Sequence, residues 1–179
     1  LAVAEQLLRQ HLRAKPTDVA AIRMLAEVGA RLGRFEDAGK LLRRCLELAP
    51  SFHAARHNYA IVLHRESKSV EALAQLDVLL KADPENPSYQ FLRAAALARI
   101  GEYDAAIAIY RAVLAKYPNS ARGWLSLGHA CKTAGLRTES IAAYERVITD
   151  APHFGEAYWS LANLKTLPFG DATVARMNQ

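Results

Sequence analysis

Gly101-Glu102-Tyr103-Asp104-Ala105-Ala106-Ile107-Ala108-Ile109-Tyr110 opens an amphipathic segment with a glycine, a small residue and an aromatic, and each of these positions recurs along the chain. Stepping by 34 residues, the glycine position reads Gly33, Ser67, Gly101 and Gly135, and the alanine position reads Ala4, Ala38, Ala72, Ala106 and Ser140. The aromatic position reads Leu8, Leu42, Leu76, Tyr110 and Tyr144. Further columns keep the step: Pro16, Pro50, Pro84, Pro118 and Pro152, and Ala26, Ala60, Ala94, Gly128 and Ala162. A shared period of this length marks a tandem array in which each repeat is one supersecondary unit.

Each column has a physical reason. A proline cannot continue a helix, so its column ends the second helix of each unit. The glycine column lies between the two helices, where a left-handed residue closes the first. The two small-residue columns lie where the helices cross, and a large side chain there would hold them apart. Between these points apolar residues return at helical spacing, as in Ala106, Ile107, Ile109, Tyr110, Val113 and Leu114. A second bulky column, Leu12, Leu46, Leu80, Leu114 and Ile148, completes the interior. The pattern predicts an all-α chain of antiparallel helix pairs, each helix about 12–15 residues long, with no sheet.

Trp124, Leu127, Gly128, Ala130, Gly135, Tyr144 and Pro152, together with Gly101–Tyr110, resemble the tetratricopeptide repeat (TPR) consensus over the whole chain. The resemblance implies a right-handed α-solenoid: a partial unit at 1–18, units at 19–52, 53–86, 87–120 and 121–154, and a C-terminal helix and tail at 155–179. Arg56 and Gln90 replace the bulky aromatic expected early in the first helix, and Arg93 replaces a leucine, which places local packing in question. Such units stack on their neighbours and present a concave groove. The resemblance puts groove-facing side chains at fixed places of each first helix.

Those places carry Arg23, Arg31, Arg65, Arg99, Arg122 and Lys132 against Glu27 and Glu156. With His57, His64 and His129 they predict an anion-preferring groove. The competing explanation is that Arg31, Arg65 and Arg99 merely complement the negative ends of their helices, by about 0.3–1 kcal/mol each. Asn58, Phe91, Trp159 and Asn163 complete the candidate peptide-binding set, Trp159 also being a candidate contact for whatever follows it. Of the apolar groove residues Ile61, Phe91, Leu92, Leu125 and Trp159, Leu92 and Leu125 fit better as core between repeats. Some family members grip a C-terminal carboxylate with a clamp of Lys and Asn; Asn58 fits that pattern, but Glu27, Ser88 and Leu92 do not.

The chain has 179 residues, 51% apolar and 23% charged, with a net charge of +5. This balance favours acidic partners; nucleic-acid binding would require phosphate contacts from most of the arginines. No stretch approaches the roughly 18 apolar residues of a membrane span, and no signal peptide is visible. Cys45 and Cys131 are too few and too far apart for a disulfide framework or a zinc site, so a cytoplasmic protein is expected. The sequence opens at Leu1 inside a helical pattern and reads as a piece of a longer polypeptide. Cys45 and Cys131 occupy columns that are apolar elsewhere and are expected to be buried. Gly33–Lys40 looks like a phosphate loop, but its spacing is one residue too long and no strand precedes it. His53 and His57 stand at metal-ligand spacing without a third ligand, so a solvated face is expected. No catalytic, cofactor or metal site follows from the sequence.

Gly155–Thr166 resembles the junction at which a bacterial TPR array precedes a sulfotransferase domain that uses the sulfate donor PAPS; Phe169, Asp171, Ala172 and Met177 suit it and Pro168 departs from it. The tail reads as a last first-helix, a Pro/Gly break and Asp171 capping a short helix, and the apolar load of Tyr158, Trp159 and Leu161 calls for a cover. The resemblance implies a protein-interaction and assembly domain with a further domain packed there. The alternative is a free-standing adaptor for acidic peptides. An uncovered end of this kind could also pair with a second copy.

Overall fold

The structure, a computed structural model, describes residues 1–164. Among them are ten α-helices and no strand: α1 Ala2–Ala14, α2 Val19–Arg31, α3 Phe35–Leu48, α4 His53–Arg65, α5 Ser69–Ala82, α6 Pro87–Arg99, α7 Tyr103–Lys116, α8 Ala121–Thr133, α9 Arg137–Asp150 and α10 Gly155–Ala162. The chain divides into two compact units, Leu1–Ile100 and Gly101–Gln179. In each unit, helices adjacent in sequence pack against each other.

Local chemistry sets the helix ends. Helices α1, α3, α5, α7 and α9 stop at Lys15, Ala49, Asp83, Tyr117 and Ala151, whose ψ values lie between 68° and 82°. Each precedes a column proline, whose ring excludes the helical conformation from the residue before it. The turns of the glycine column are all left-handed: Gly33 at φ 76°, Ser67 at 62°, Gly101 at 93° and Gly135 at 80°. Side-chain caps start three of the helices. Asp18 accepts from the N–H groups of Ala20 and Ala21 for α2, and Asn86 from Ser88 and Tyr89 for α6, with Pro87 in the first turn. Ser120 accepts from Gly123 N–H for α8.

The inner members of the small-residue columns sit at the helix crossings as expected, whereas the outermost, Ala4 and Ala162, are exposed. Ala26, Ala38, Ala60, Ala72, Ala94, Ala106 and Ser140 are all fully inaccessible to solvent. Gly128 shows how tight a crossing becomes. A Cβ there would lie 2.5 Å from the ring of Tyr144, a side chain that is itself fully buried. In the first unit Ile22, Ala26, Ala38, Leu42, Cys45, Ala55 and Val62 form the core between α2, α3 and α4. In the second, Leu125, Tyr144, Val147, Ile148, Ala157, Tyr158 and Leu161 do so. Both cysteines are buried thiols, and the Cys45 Sγ–H donates to the Val19 carbonyl at 3.3 Å.

The departures from the consensus keep one contact of the aromatic they replace, a hydrogen bond to a proline carbonyl. Arg56 donates to the Pro50 carbonyl at 2.7 Å, Gln90 to the Pro84 carbonyl at 2.6 Å, and Trp124 to the Pro118 carbonyl at 2.7 Å. Three different side chains thus satisfy the same kind of acceptor, the carbonyl of the column proline. Arg93, in place of leucine, pairs with Asp77. Helix α1 is anchored by Arg34, which grips both carboxylate oxygens of Glu5. Those bonds, followed by one from Arg9, hold the Glu5 carboxyl down to about 2.

Ser67 occupies a conformation that costs an L-residue with a side chain roughly 1–2 kcal/mol. Ser67→Gly is therefore expected to stabilise the first unit by about 1 kcal/mol in urea melts, and unchanged or lowered stability would contradict the assignment. Gly128→Ala is expected to destabilise the chain by about 1–3 kcal/mol, with recovery when Tyr144→Leu is added to make room.

Candidate functional site

A cleft of about 400 Å³ opens in the first unit between α2, α3 and α4. Its apolar surface comes from Ala26, Ala30, Phe35, Leu42, Ile61 and Val62, and its polar surface from Glu27, Arg31, Asn58 and Arg65. The helical repeat explains the mixture. Ala26 and Val62 are core residues at the crossings, whereas Glu27, Ile61 and Arg65 lie one or three places further round the helix surface. Ile61 keeps 37% of its surface exposed, an apolar face left open to the cleft.

The Asn58 amide nitrogen is shielded from solvent, yet it has no hydrogen-bond partner among the described residues. A shielded amide without a partner costs about 1–3 kcal/mol. A backbone carbonyl entering the cleft could recover that cost.

Charge in this unit is partly compensated. Glu27 accepts from Arg31 at 2.8 Å and from Arg23 at 3.3 Å, so one carboxylate serves two guanidiniums. Arg65 joins no ion pair among the described residues, and Arg99 turns to the Ser67 hydroxyl at 3.2 Å rather than to a carboxylate. Arg31, Arg65 and Arg99 are the last residues of α2, α4 and α6. They therefore complement helix C-termini as well as lining or flanking the cleft.

His57 is half-buried, with its ring edge-on to Tyr89 at a centroid distance of 4.9 Å, and burial lowers its pKa. His64 is lowered first by burial and then by the nearby Arg99 and Arg65 charges. Its Nδ1 is shielded and has no partner among the described residues. No group of three potential metal ligands occurs among the described residues.

The remaining candidates are distributed differently. Phe91 is half-buried on α6, and Leu92 packs against Ala60, Leu76 and Leu79 as core. In the second unit Arg122 and Lys132 lie on α8 outside any ion pair among the described residues. The His129 Nδ1 lies 3.0 Å from the Tyr144 hydroxyl and its Nε2 3.5 Å from Glu156. Burial raises that hydroxyl to about 12. Leu125 is core. Trp159 is 65% exposed, whereas its neighbours Tyr158 and Leu161 are already buried by their own unit. Asn163 caps α10, donating its backbone N–H to the Trp159 carbonyl at 2.9 Å. Phe169, Asp171, Ala172, Met177 and Pro168 lie outside the described residues.

Phe35 and Leu42 were not legible as cleft residues, because they belong to a second helix, whereas groove positions are assigned to first helices.

Tetratricopeptide-repeat models match three overlapping stretches, residues 19–62, 60–121 and 97–164. The chain is built of tetratricopeptide repeats. Cytochrome c-type biogenesis protein CycH of Rhizobium meliloti (strain 1021) is 32% identical over 120 residues, which cover 65% of this chain and 31% of that protein. The TPR chain therefore spans less than a third of that relative. Among solved structures, MamA (41-end) from Desulfovibrio magneticus RS-1 superposes with a TM-score of 0.76 at 17% identity, covering 84% of this chain and 85% of that one. YrrB, a TPR protein with an unusual peptide-binding site, gives 0.73 at 16% identity over 91% and 82% of the two chains. At such identities the likeness shows the fold, a TPR solenoid. Among the described residues no helix is long and apolar enough to cross a membrane.

Because His57 and His64 are depressed below the ordinary histidine value of 6.5, the folded state binds fewer protons than the unfolded chain once the pH falls below that value. Their contribution is present above pH 6.5 and is lost as the pH falls toward their folded values. Urea melts between neutral pH and pH 5 should show this loss, and His57→Gln with His64→Gln should flatten it. Glu5 adds its own pH dependence only further down, between 4.5 and about 2.

Proposed function

We propose that this chain is one repeat array acting as a non-catalytic interaction scaffold, and that the α2–α4 cleft holds an extended peptide segment combining apolar and acidic side chains. The observation that carries this reading is the cleft's composition: an apolar floor, the unpartnered Asn58 amide, and Arg31 and Arg65 in its lining. Apolar side chains would seat on Ile61 and Phe35, a backbone carbonyl would accept from Asn58, and carboxylates would meet the arginines. YrrB, a TPR protein with an unusual peptide-binding site, supports a peptide ligand for this fold. Arg23, His57, Phe91 and Arg99 extend the proposed surface within the first unit, and Arg122, His129, Lys132 and Asn163 are proposed as a surface of the second.

Fluorescence anisotropy with a labelled peptide of alternating leucine and aspartate tests this. Binding is expected to weaken with salt, Asn58→Leu to reduce affinity about tenfold, and Arg65→Glu to reduce both affinity and salt dependence. Equal affinity for a leucine–lysine peptide, or indifference to both substitutions, would overturn the reading.

Trp159 favours a second proposal. A tryptophan 65% exposed on the last described helix is a ready anchor for a covering domain. With the resemblance of residues 155–177 to the TPR–sulfotransferase junction, it supports a parent protein in which a PAPS-dependent sulfotransferase domain follows. A reading frame that continues past Gln179 into a PAPS-binding phosphate loop is the expected result, and a stop codon in its place would end this proposal.

A further inference from the structure

His64 and Arg65 are the last two residues of α4, and Ser67 follows them in the left-handed turn. Arg99, the last residue of α6, reaches back to this turn and donates to the Ser67 Oγ at 3.2 Å. The Arg99 guanidinium and the Ser67 hydroxyl therefore meet beside the turn that follows His64 and Arg65. Most carboxylates of the elements packed around α4 are committed elsewhere: Glu27 of α2 to Arg23 and Arg31, Glu36 and Glu47 of α3 to Lys40 and Arg44, Glu66 to Lys68, and Asp77 of α5 to Arg93. Asp37 of α3 and Glu71 of α5 join no ion pair among the described residues. The charges that bear on His64 are those of Arg99 and Arg65. Its Nδ1 is shielded and without a partner among the described residues.

The helix ends argue against an anion here, so magnitudes decide. Each helix C-terminus is equivalent to about half a negative charge, giving roughly −1 for α4 and α6 together. The two guanidiniums outweigh this and leave about +1, which becomes about +2 when His64 takes up a proton. A singly charged carboxylate matches the first state and a doubly charged oxyanion the second. A tetrahedral oxyanion also offers three acceptor oxygens, enough for both arginines and one further donor, His64 or the Ser67 hydroxyl.

We propose that His64, Arg65, Ser67 and Arg99 form a subsite for a doubly charged tetrahedral oxyanion, the phosphate of a phosphorylated serine or threonine in the peptide that occupies the cleft. Arg65 joins the two, since it also lines the cleft. The source of the phosphate rests on the peptide reading above; binding of the oxyanion itself does not. Occupation draws a proton onto His64, so phosphorylation of the partner and pH act on the same residue.

The test follows the imidazole resonances of the six histidines by NMR in the intact chain, with sulfate as the probe at constant ionic strength against chloride. Sulfate remains doubly charged throughout the titration. The titration midpoint of His64 is expected to rise by about half a unit or more, one unit being about tenfold in differential affinity, while the exposed His53 stays in place. Arg99→Gln should abolish the rise, and Arg93→Gln, which removes an equal charge outside the cluster, should preserve it. An equal rise for all histidines, or one that survives Arg99→Gln, would overturn the subsite. A second arm compares a leucine-rich phosphoserine peptide with its unphosphorylated and aspartate forms. Binding of the phosphoserine form at least about tenfold tighter, with the same His64 shift, supports a phosphopeptide source. A response to sulfate alone would overturn that source. Failure of the aspartate form to bind, with the sulfate response intact, would count against the acidic-peptide reading and leave the subsite standing.

Discussion

The constraint on which the rest of the structure depends is the close approach of two helices at a contact no larger than an alanine. Ala26 meets α3 where Ala38 lies, Ala60 and Ala72 repeat the arrangement, and Gly128 with Ser140 does so in the second unit; every residue of the set is buried. The approach leaves no spare volume, which is why a ring edge fills the place a Cβ would take at Gly128. It also fixes where each helix must end, because the turn between paired helices has to reverse the chain within a few residues. A left-handed residue performs that reversal, and a proline after the second helix prevents overrun.

The cleft is a by-product of the same constraint. Small residues bring α2 and α4 against α3, so longer side chains on the open side of α2 and α4 line a trough rather than a flat face. Helix ends at the column positions call for cations, and Arg31, Arg65 and Arg99 supply them. One set of charges therefore has two duties, and their surroundings separate them. Arg31 is held by Glu27, whereas Arg65 and Arg99 bear on a histidine that burial keeps short of protons. The exposed pairs, such as Glu36 with Lys40, contribute little to stability because solvent screens them.

Much of the fold was legible because its determinants are local. Proline, glycine and capping residues act within a few positions of themselves, so their columns give the helix ends directly. What the sequence could not show was long-range pairing. Arg56 and Gln90 read as packing faults, since nothing in the sequence indicates that the proline carbonyl six residues earlier faces them. His129 reads as a groove residue, and nothing in the sequence shows that it meets the Tyr144 hydroxyl and pairs with Glu156. Tyr158 and Leu161 read as an uncovered load together with Trp159, yet the core of their own unit takes two of the three and leaves only the tryptophan exposed. Phe35 went unassigned because the cleft borrows from a second helix.

The central claim is that ligand recognition resides in the trough between α2 and α4 and follows from its lining. Methyl NMR of the intact chain, titrated with the leucine–aspartate peptide, tests this most directly. The account predicts shifts at the methyl groups of Ala26, Ala30, Ile61 and Val62, with Ile107 and Val113 in the second unit's core unmoved. Shifts confined to the exposed Val70 and Val78 of α5, with Ile61 silent, would contradict it.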